Sequence, residues 1–197
     1  MATLPDEVFV DCSTLVRNAD GTVVTGNPTQ DDFADVLAKV AANDPETTSV
    51  NLNNLDDAEP LQMIDLAEAL MENTVVTEVW LCNCNMDTLG GQMFGQVLKR
   101  NATLTELNLE TNRIGPKGMV ALAKALKENT GLSILRLENQ NTPMGNKAER
   151  LFVKALKANK SLVKLAADFH EQSSKNAVVS ALTRNIDRAR KARRKAA

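Results

Sequence analysis

Leucine, valine and alanine recur along this chain at a near-constant interval, and polar residues fill the same gaps each time. In 101–118, NATLTELNLETNRIGPKG, Leu104, Leu107 and Leu109 precede Asn112 and Ile114. This is the leucine-rich-repeat spacing L-x-x-L-x-L-x-x-N-x-I. Leu107 and Leu109 alternate, so a short strand points both to one face. Asn112 turns the chain, because its side chain bonds backbone groups that no ladder reaches. Gly115 and Pro116 then open a helix, with proline where its missing N–H costs least.

The unit repeats. Asparagines stand at Asn43, Asn73, Asn101, Asn129, Asn159 and Asn185, at intervals of 30, 28, 28, 30 and 26 by subtraction. Leu70, Leu98, Leu126, Leu156 and Leu182 lie three residues before five of them, and Val79, Leu107, Leu135 and Leu165 lie six after four of them. A period near 28 leaves room for a full helix in each unit. The expected fold is therefore α/β: a leucine-rich-repeat solenoid of the ribonuclease-inhibitor type, with about five repeats. A five-strand parallel sheet lines its concave side and the helices lie outside.

The pattern divides the chain into three parts. Residues 1–42 form an entry segment and capping helix, 43–172 the repeats, and 173–197 a C-terminal capping helix with a basic tail. In the entry segment, Val8–Val10 and Thr22–Val24 have strand character around a turn-prone Asn18–Gly21. Thr29 reads as an N-cap, with Phe33, Val36, Leu37, Val40 and Ala41 on one helix face. The repeat strands fall at Val50–Leu52, Val76–Leu81, Leu107–Leu109, Leu132–Leu137 and around Leu165. The helices fall near Pro60–Met71, Thr88–Lys99, Pro116–Lys127 and Asn146–Ala158, and a last one covers Ser173–Lys195. Alternation turns Asn51, Glu78, Trp80, Glu106, Asn108, Ile134, Arg136 and Lys164 outward on the sheet.

Composition narrows the class. Apolar residues make up 43% of the chain, while aromatics are 3% and tyrosine is absent; the core must be aliphatic. No apolar run is long enough to span a bilayer, and the N-terminus lacks a signal-peptide pattern. Three cysteines suit a reducing compartment, so the expected location is intracellular, in the cytoplasm. Cys82 and Cys84 lack the further ligands a metal needs and read as structural. Charge is uneven. Residues 1–60 hold 12 acidic and 2 basic side chains, or −10, and residues 173–197 hold 8 basic and 1 acidic, or +7.

Chemistry is absent from the pattern. Nine glycines form no phosphate-binding loop, and the single histidine, His170, has Asp168 two residues away but no marked serine to complete a triad. The reading excludes an enzyme, a cofactor and a metal. Taken alone, the basic tail has three readings: nucleic-acid phosphate, anionic lipid, or a solvated helix end. Trp80 is either a contact or mere coverage of the sheet. The loop 138–147, ENQNTPMGNK, is longer and more polar than a turn requires.

Several runs resemble the tropomodulin and leiomodin family. Leu135–Glu149, LRLENQNTPMGNKAE, is similar to the family's D-N-Q-x-x-P-L-G-N-K-x-E. Leu107–Ile114, LNLETNRI, resembles L-N-V-E-S-N-F-I, and Asn43-Asp44-Pro45 with Val50–Leu55 resembles N-D-P … V-N-L-N-N-I. Asn185–Arg194 is similar to the N-N-x-x-x-R-x-R-R ending. The match covers about residues 30–195. The resemblance implies actin binding and pointed-end capping, with this domain as a second actin-binding site. It implies loop contacts from Asn112, Arg113, Asn139, Gln140, Asn141, Met144, Asn146 and Lys147. It also implies helix contacts from Arg188, Arg190, Lys191, Arg193 and Arg194; by alternation, Trp80, Asn108 and Arg136 are the candidates on the concave face. The family's tropomyosin-binding helices lie in a long N-terminal half. About 42 residues precede the first repeat here, so tropomyosin is not expected as a partner. The expected protein is a monomer that binds neither nucleic acid nor membrane. The alternative is a leucine-rich scaffold for another protein, such as a small-GTPase regulator or a flagellar or cytoskeletal adaptor.

Overall fold

The computed structural model of the chain describes residues 16–17, 23–24, 28–55 and 57–196. Strands β1 (Val16–Arg17) and β2 (Val23–Val24) pair antiparallel. Val8–Val10, Asn18–Gly21 and Thr22 lie outside the described residues. Helix α1 (Gln30–Ala41) begins with a capping box. Thr29 N donates to Asp32 Oδ2 (2.8 Å), and Asp32 N donates to Thr29 Oγ1 (3.3 Å). Phe33 and Val40 are buried beneath it. Ala41 is exposed, because it lies about 80° round the helix from Phe33.

Five strand–helix units follow: β3 (Ser49–Asn51) and α2 (Pro60–Glu72), β4 (Glu78–Trp80) and α3 (Thr88–Arg100), β5 (Glu106–Asn108) and α4 (Pro116–Leu126), β6 (Ile134–Arg136) and α5 (Asn146–Ala158), and β7 (Lys164–Ala166) and α6 (Gln172–Ala196). The strands form one parallel sheet in chain order, β3-β4-β5-β6-β7. β4 and β6 are shorter than the Val76–Leu81 and Leu132–Leu137 that alternation suggests, and β3 and β5 have the expected length but begin one residue earlier. Backbone bonds continue the ladder beside them, as where Thr77 N donates to Thr48 O at 2.8 Å. The register aligns Val50, Val79, Leu107, Leu135 and Leu165. The first four are buried. Leu165 is only half-buried, since β7 is the last strand and no further unit covers it.

The recurring asparagines stitch the units together. Asn101 Nδ2 donates back to Leu70 O (2.7 Å) and Asn73 O (2.9 Å), and its Oδ1 accepts from Thr103 N and Leu104 N (both 2.8 Å). Asn73, Asn129 and Asn159 repeat the pattern one unit apart. Each closes its own helix and reaches the end of the previous one, where the last carbonyls lie beyond the regular helical bonds. Asn185 finishes the series from within α6, donating to Asn159 O (3.2 Å) and Leu162 O (2.8 Å). Asn43 stands outside it. Its backbone φ is 55°, and its side chain pairs forward with Thr74.

Helices α3 and α4 meet through glycine. A Cβ on Gly95 would lie 3.0 Å from the Ala121 Cβ, and one on Gly91 would lie 3.4 Å from the Gly118 Cα and 2.6 Å from Ile114 Cγ2. Larger residues would force the backbones apart.

Leu107 has no exposed surface and sits at the centre of the sheet. Leu107→Ala is expected to cost about 2–5 kcal/mol, the range for truncating a buried leucine. Chemical denaturation measures it, and an unchanged midpoint would place Leu107 outside the core.

Candidate functional site

Two surfaces carry the candidate residues: the rim of strand-to-helix loops and the far end of α6. The loops share one construction. Asn54, Asn83, Thr111 and Asn139 occupy matching places, all with positive φ between 53° and 64°. Asparagine tolerates this conformation, whereas β-branched Thr111 holds it with strain. Asn54, Asn83 and Thr111 donate their N–H groups to Cys82 O, Glu110 O and Glu138 O. Asn139 N donates to Asp168 Oδ2 (2.8 Å).

Beneath this rim runs a second ladder. Cys84, Asn112 and Gln140 occupy equivalent positions. Cys84 Sγ donates to Leu52 O (2.9 Å), Asn112 Nδ2 to Leu81 O (2.8 Å) and Gln140 Nε2 to Leu109 O (2.8 Å). Asn112 is buried and Gln140 half-buried. Their amides are committed to backbone, so both shape the rim and neither offers its amide to a partner. Cys84 is free and buried, and burial pushes its thiol up to about 12, which keeps it protonated at neutral pH.

The 138–147 loop turns into α5 through Gly145, whose φ is 79°. Asn139, Asn141, Asn146 and Lys147 are exposed, as is Arg113 on the neighbouring loop. Met144 is buried and anchors the loop from below. Beside the loop, Leu137, Met144, Phe169 and Met119 floor a cleft of about 410 Å³, with Thr142, Asp168, His170 and Lys175 on its edge.

Helix α6 packs on α5 as far as Asn185, with Val178 and Ala181 buried. Arg184 Nη2 donates to Leu156 O (2.7 Å), closing the end of α5. Beyond this point Arg188, Arg190, Lys191, Arg193 and Arg194 are all exposed. Residues 187–195 hold six basic side chains and one acidic, or +5.

The concave face is differently built. Arg136 Nη2 lies 3.1 Å from Glu106 Oε1, with both side chains largely buried, and the Arg136 Cζ stands 6.0 Å from the Trp80 ring centroid. Asn108 lies between Trp80 and Arg136 in the ladder. It is 3% exposed rather than open to solvent, because the arginine reaches over it toward the tryptophan. Trp80 and Arg136 remain half-buried. This patch is paired within itself, which lowers its value as a charged contact.

Spacing alone did not single out Glu149, which is buried on α5 and bonded to the backbone before α6. Its only sequence signal was its place at the close of the asparagine–glutamine run. Among the described residues, no group of three or more His, Cys, Asp or Glu is placed to hold a metal ion. No helix there is long and apolar enough to cross a membrane.

Stacked strand–helix units on one parallel sheet, closed at one end by a long helix, define a leucine-rich-repeat protein. Residues 27–188 match the family model described as TMOD/LMOD leucine-rich domain, and the chain belongs to that family. It is 40% identical to Leiomodin-2 of Homo sapiens over 168 residues, covering 85% of this chain and 30% of that protein. Leiomodin-1 of Rattus norvegicus is 39% identical over 161 residues, or 82% of this chain and 27% of that protein. The chain thus spans about 30% of the length of these curated relatives. Among solved structures, one titled Leiomodin-1 actin-binding site 2 superposes with a TM-score of 0.79 at 38% identity, over 85% of this chain and 96% of that one. The tropomodulin C-terminal domain of Caenorhabditis elegans superposes at 0.77 with 22% identity, over 82% and 98%, a likeness of fold.

Proposed function

We propose that this protein binds actin through its leucine-rich domain and regulates filament pointed ends, as a cytoplasmic, cytoskeletal binding protein without catalytic activity. The observation that carries the reading is the likeness to the Leiomodin-1 actin-binding site 2 over nearly that whole chain. The surface agrees with it. The exposed loop residues Asn139, Asn141, Asn146 and Lys147 stand on a rigid rim, and α6 presents Arg188, Arg190, Lys191, Arg193 and Arg194 to an acidic partner. Rigid polar contacts set orientation, while the charged helix end raises the association rate.

The test is elongation of pyrene-labelled actin from filaments whose barbed ends are capped. The protein is expected to slow growth at the free pointed end. No effect at about tens of micromolar, the weak end of specific association, would reject actin in favour of another protein partner for the scaffold. Asn146→Ala combined with Lys147→Ala is expected to weaken the effect roughly threefold to tenfold, since rim contacts contribute less than anchors. Circular dichroism should be unchanged, because both side chains are exposed.

A further inference from the structure

Glu149 lies on α5 and is 2% exposed. One carboxylate oxygen, Oε1, accepts from His170 N (2.7 Å), and the other, Oε2, accepts from Glu171 N (3.2 Å). These two N–H groups stand immediately before the first turn of α6. A helix start carries orphan donors and the positive end of the dipole. Here a carboxylate from the neighbouring helix holds the N–H of Glu171, the residue that precedes the helix, and of His170 before it. Three residues further along α5, Phe152 meets Phe169 edge to face, with centroids 6.0 Å apart and planes at 80°. Residues three apart share a helix face, so one face of α5 clamps the joint between β7 and α6. Asp168, next to Phe169, holds Asn139 of the polar loop. The clamp therefore fixes the start of the basic helix relative to the loop rim.

We infer that Glu149 is a positioning residue for the partner-binding surface: it aligns α6 so that its basic end and the 138–147 loop engage one partner together. This deepens the actin reading and rests on it. Glu149 holds the start of the helix, and Val178, Ala181, Arg184 and Asn185 hold it further along. Without the hold at the start, the first turns of α6 can shift and tilt the helix about its later contacts. A tilt of ~10° about Asn185 moves Arg194, nine residues on, by ~2 Å. That is enough to part charge-assisted hydrogen bonds, whose useful range is a few tenths of an ångström.

The test compares wild-type protein with Glu149→Gln, which keeps the side chain's shape but replaces one acceptor with a donor facing an N–H. Pointed-end binding is measured across rising potassium chloride, with circular dichroism and melting as folding controls. The variant is expected to stay folded, to bind about fivefold more weakly, and to show a flatter salt dependence, because fewer ion pairs form. Phe169→Leu, which loosens the same joint differently, is expected to do likewise and decides the matter if Glu149→Gln does not fold. Unchanged affinity in a folded variant would overturn the inference. So would weaker binding with the wild-type salt dependence, since that marks a structural role alone. If wild-type protein fails to bind actin, the actin reading itself falls, and that result is seen before any variant is made.

Discussion

Asn101→Ala is expected to lower stability by on the order of 4–6 kcal/mol, among the largest effects of any single polar substitution here. Asn101 is 5% exposed and makes four hydrogen bonds to backbone. Alanine removes all four; Leu70 O keeps its bond from Asn73 N (3.4 Å), while Asn73 O, Thr103 N and Leu104 N lose this partner. Each buried group left alone costs about 1–3 kcal/mol, and relaxation or an admitted water recovers part of the sum. The site joins two units, so the loss also weakens the interface between them, on which a solenoid's cooperativity depends. Urea denaturation followed by circular dichroism measures it. A loss below about 1 kcal/mol would mean that the amide ties are replaceable by water.

Reversing Arg190, Arg193 and Arg194 to glutamate is expected to weaken actin binding about a hundredfold while leaving the melting curve within error. The three side chains lie beyond Asn185, the last residue of α6 that is buried, so the fold does not depend on them. The change replaces three positive charges with three negative ones, a swing of six units in a segment now at +5. Attraction toward an acidic surface becomes repulsion, and added salt should relieve part of the defect by screening it. Pyrene-actin elongation from barbed-end-capped filaments reads the outcome. Undiminished capping by the reversed protein would remove the tail from the binding surface.

The leucine spacing alone was enough for the strand–helix units, their order and their parallel sheet, because burial of a repeated apolar face leaves few alternatives. Helix α5 begins and ends where its pattern places it, at Asn146 and Ala158. The polar positions were harder. Asn73, Asn101, Asn129 and Asn159 are visible as a period, but a period does not show that each amide reaches back a whole unit. Asn112 and Gln140 look like exposed loop residues in composition. Their amides instead serve carbonyls some thirty residues earlier, neighbours that exist only once the solenoid is wound. Asn108 alternates outward correctly and is still covered, because Arg136 leans across it from the next strand. Glu149 was illegible for the same reason. Its partners are 21 and 22 residues away and belong to a joint rather than to a repeat.

The glycine contacts between α3 and α4 govern the bend of the arc. Strands repeat about 4.8 Å apart, while packed helices repeat about 8–10 Å apart on the outer layer. With the two layers about 10 Å apart, a helix spacing of about 10 Å turns each unit by roughly 30°, and a spacing near 8 Å turns it by roughly 18°. Gly91, Gly95 and Gly118 let α3 and α4 approach at the short end of that range, where the turn per unit is smallest. A smaller turn brings the loops of those two units closer to one line, which suits a broad, even partner surface that does not itself have to curve.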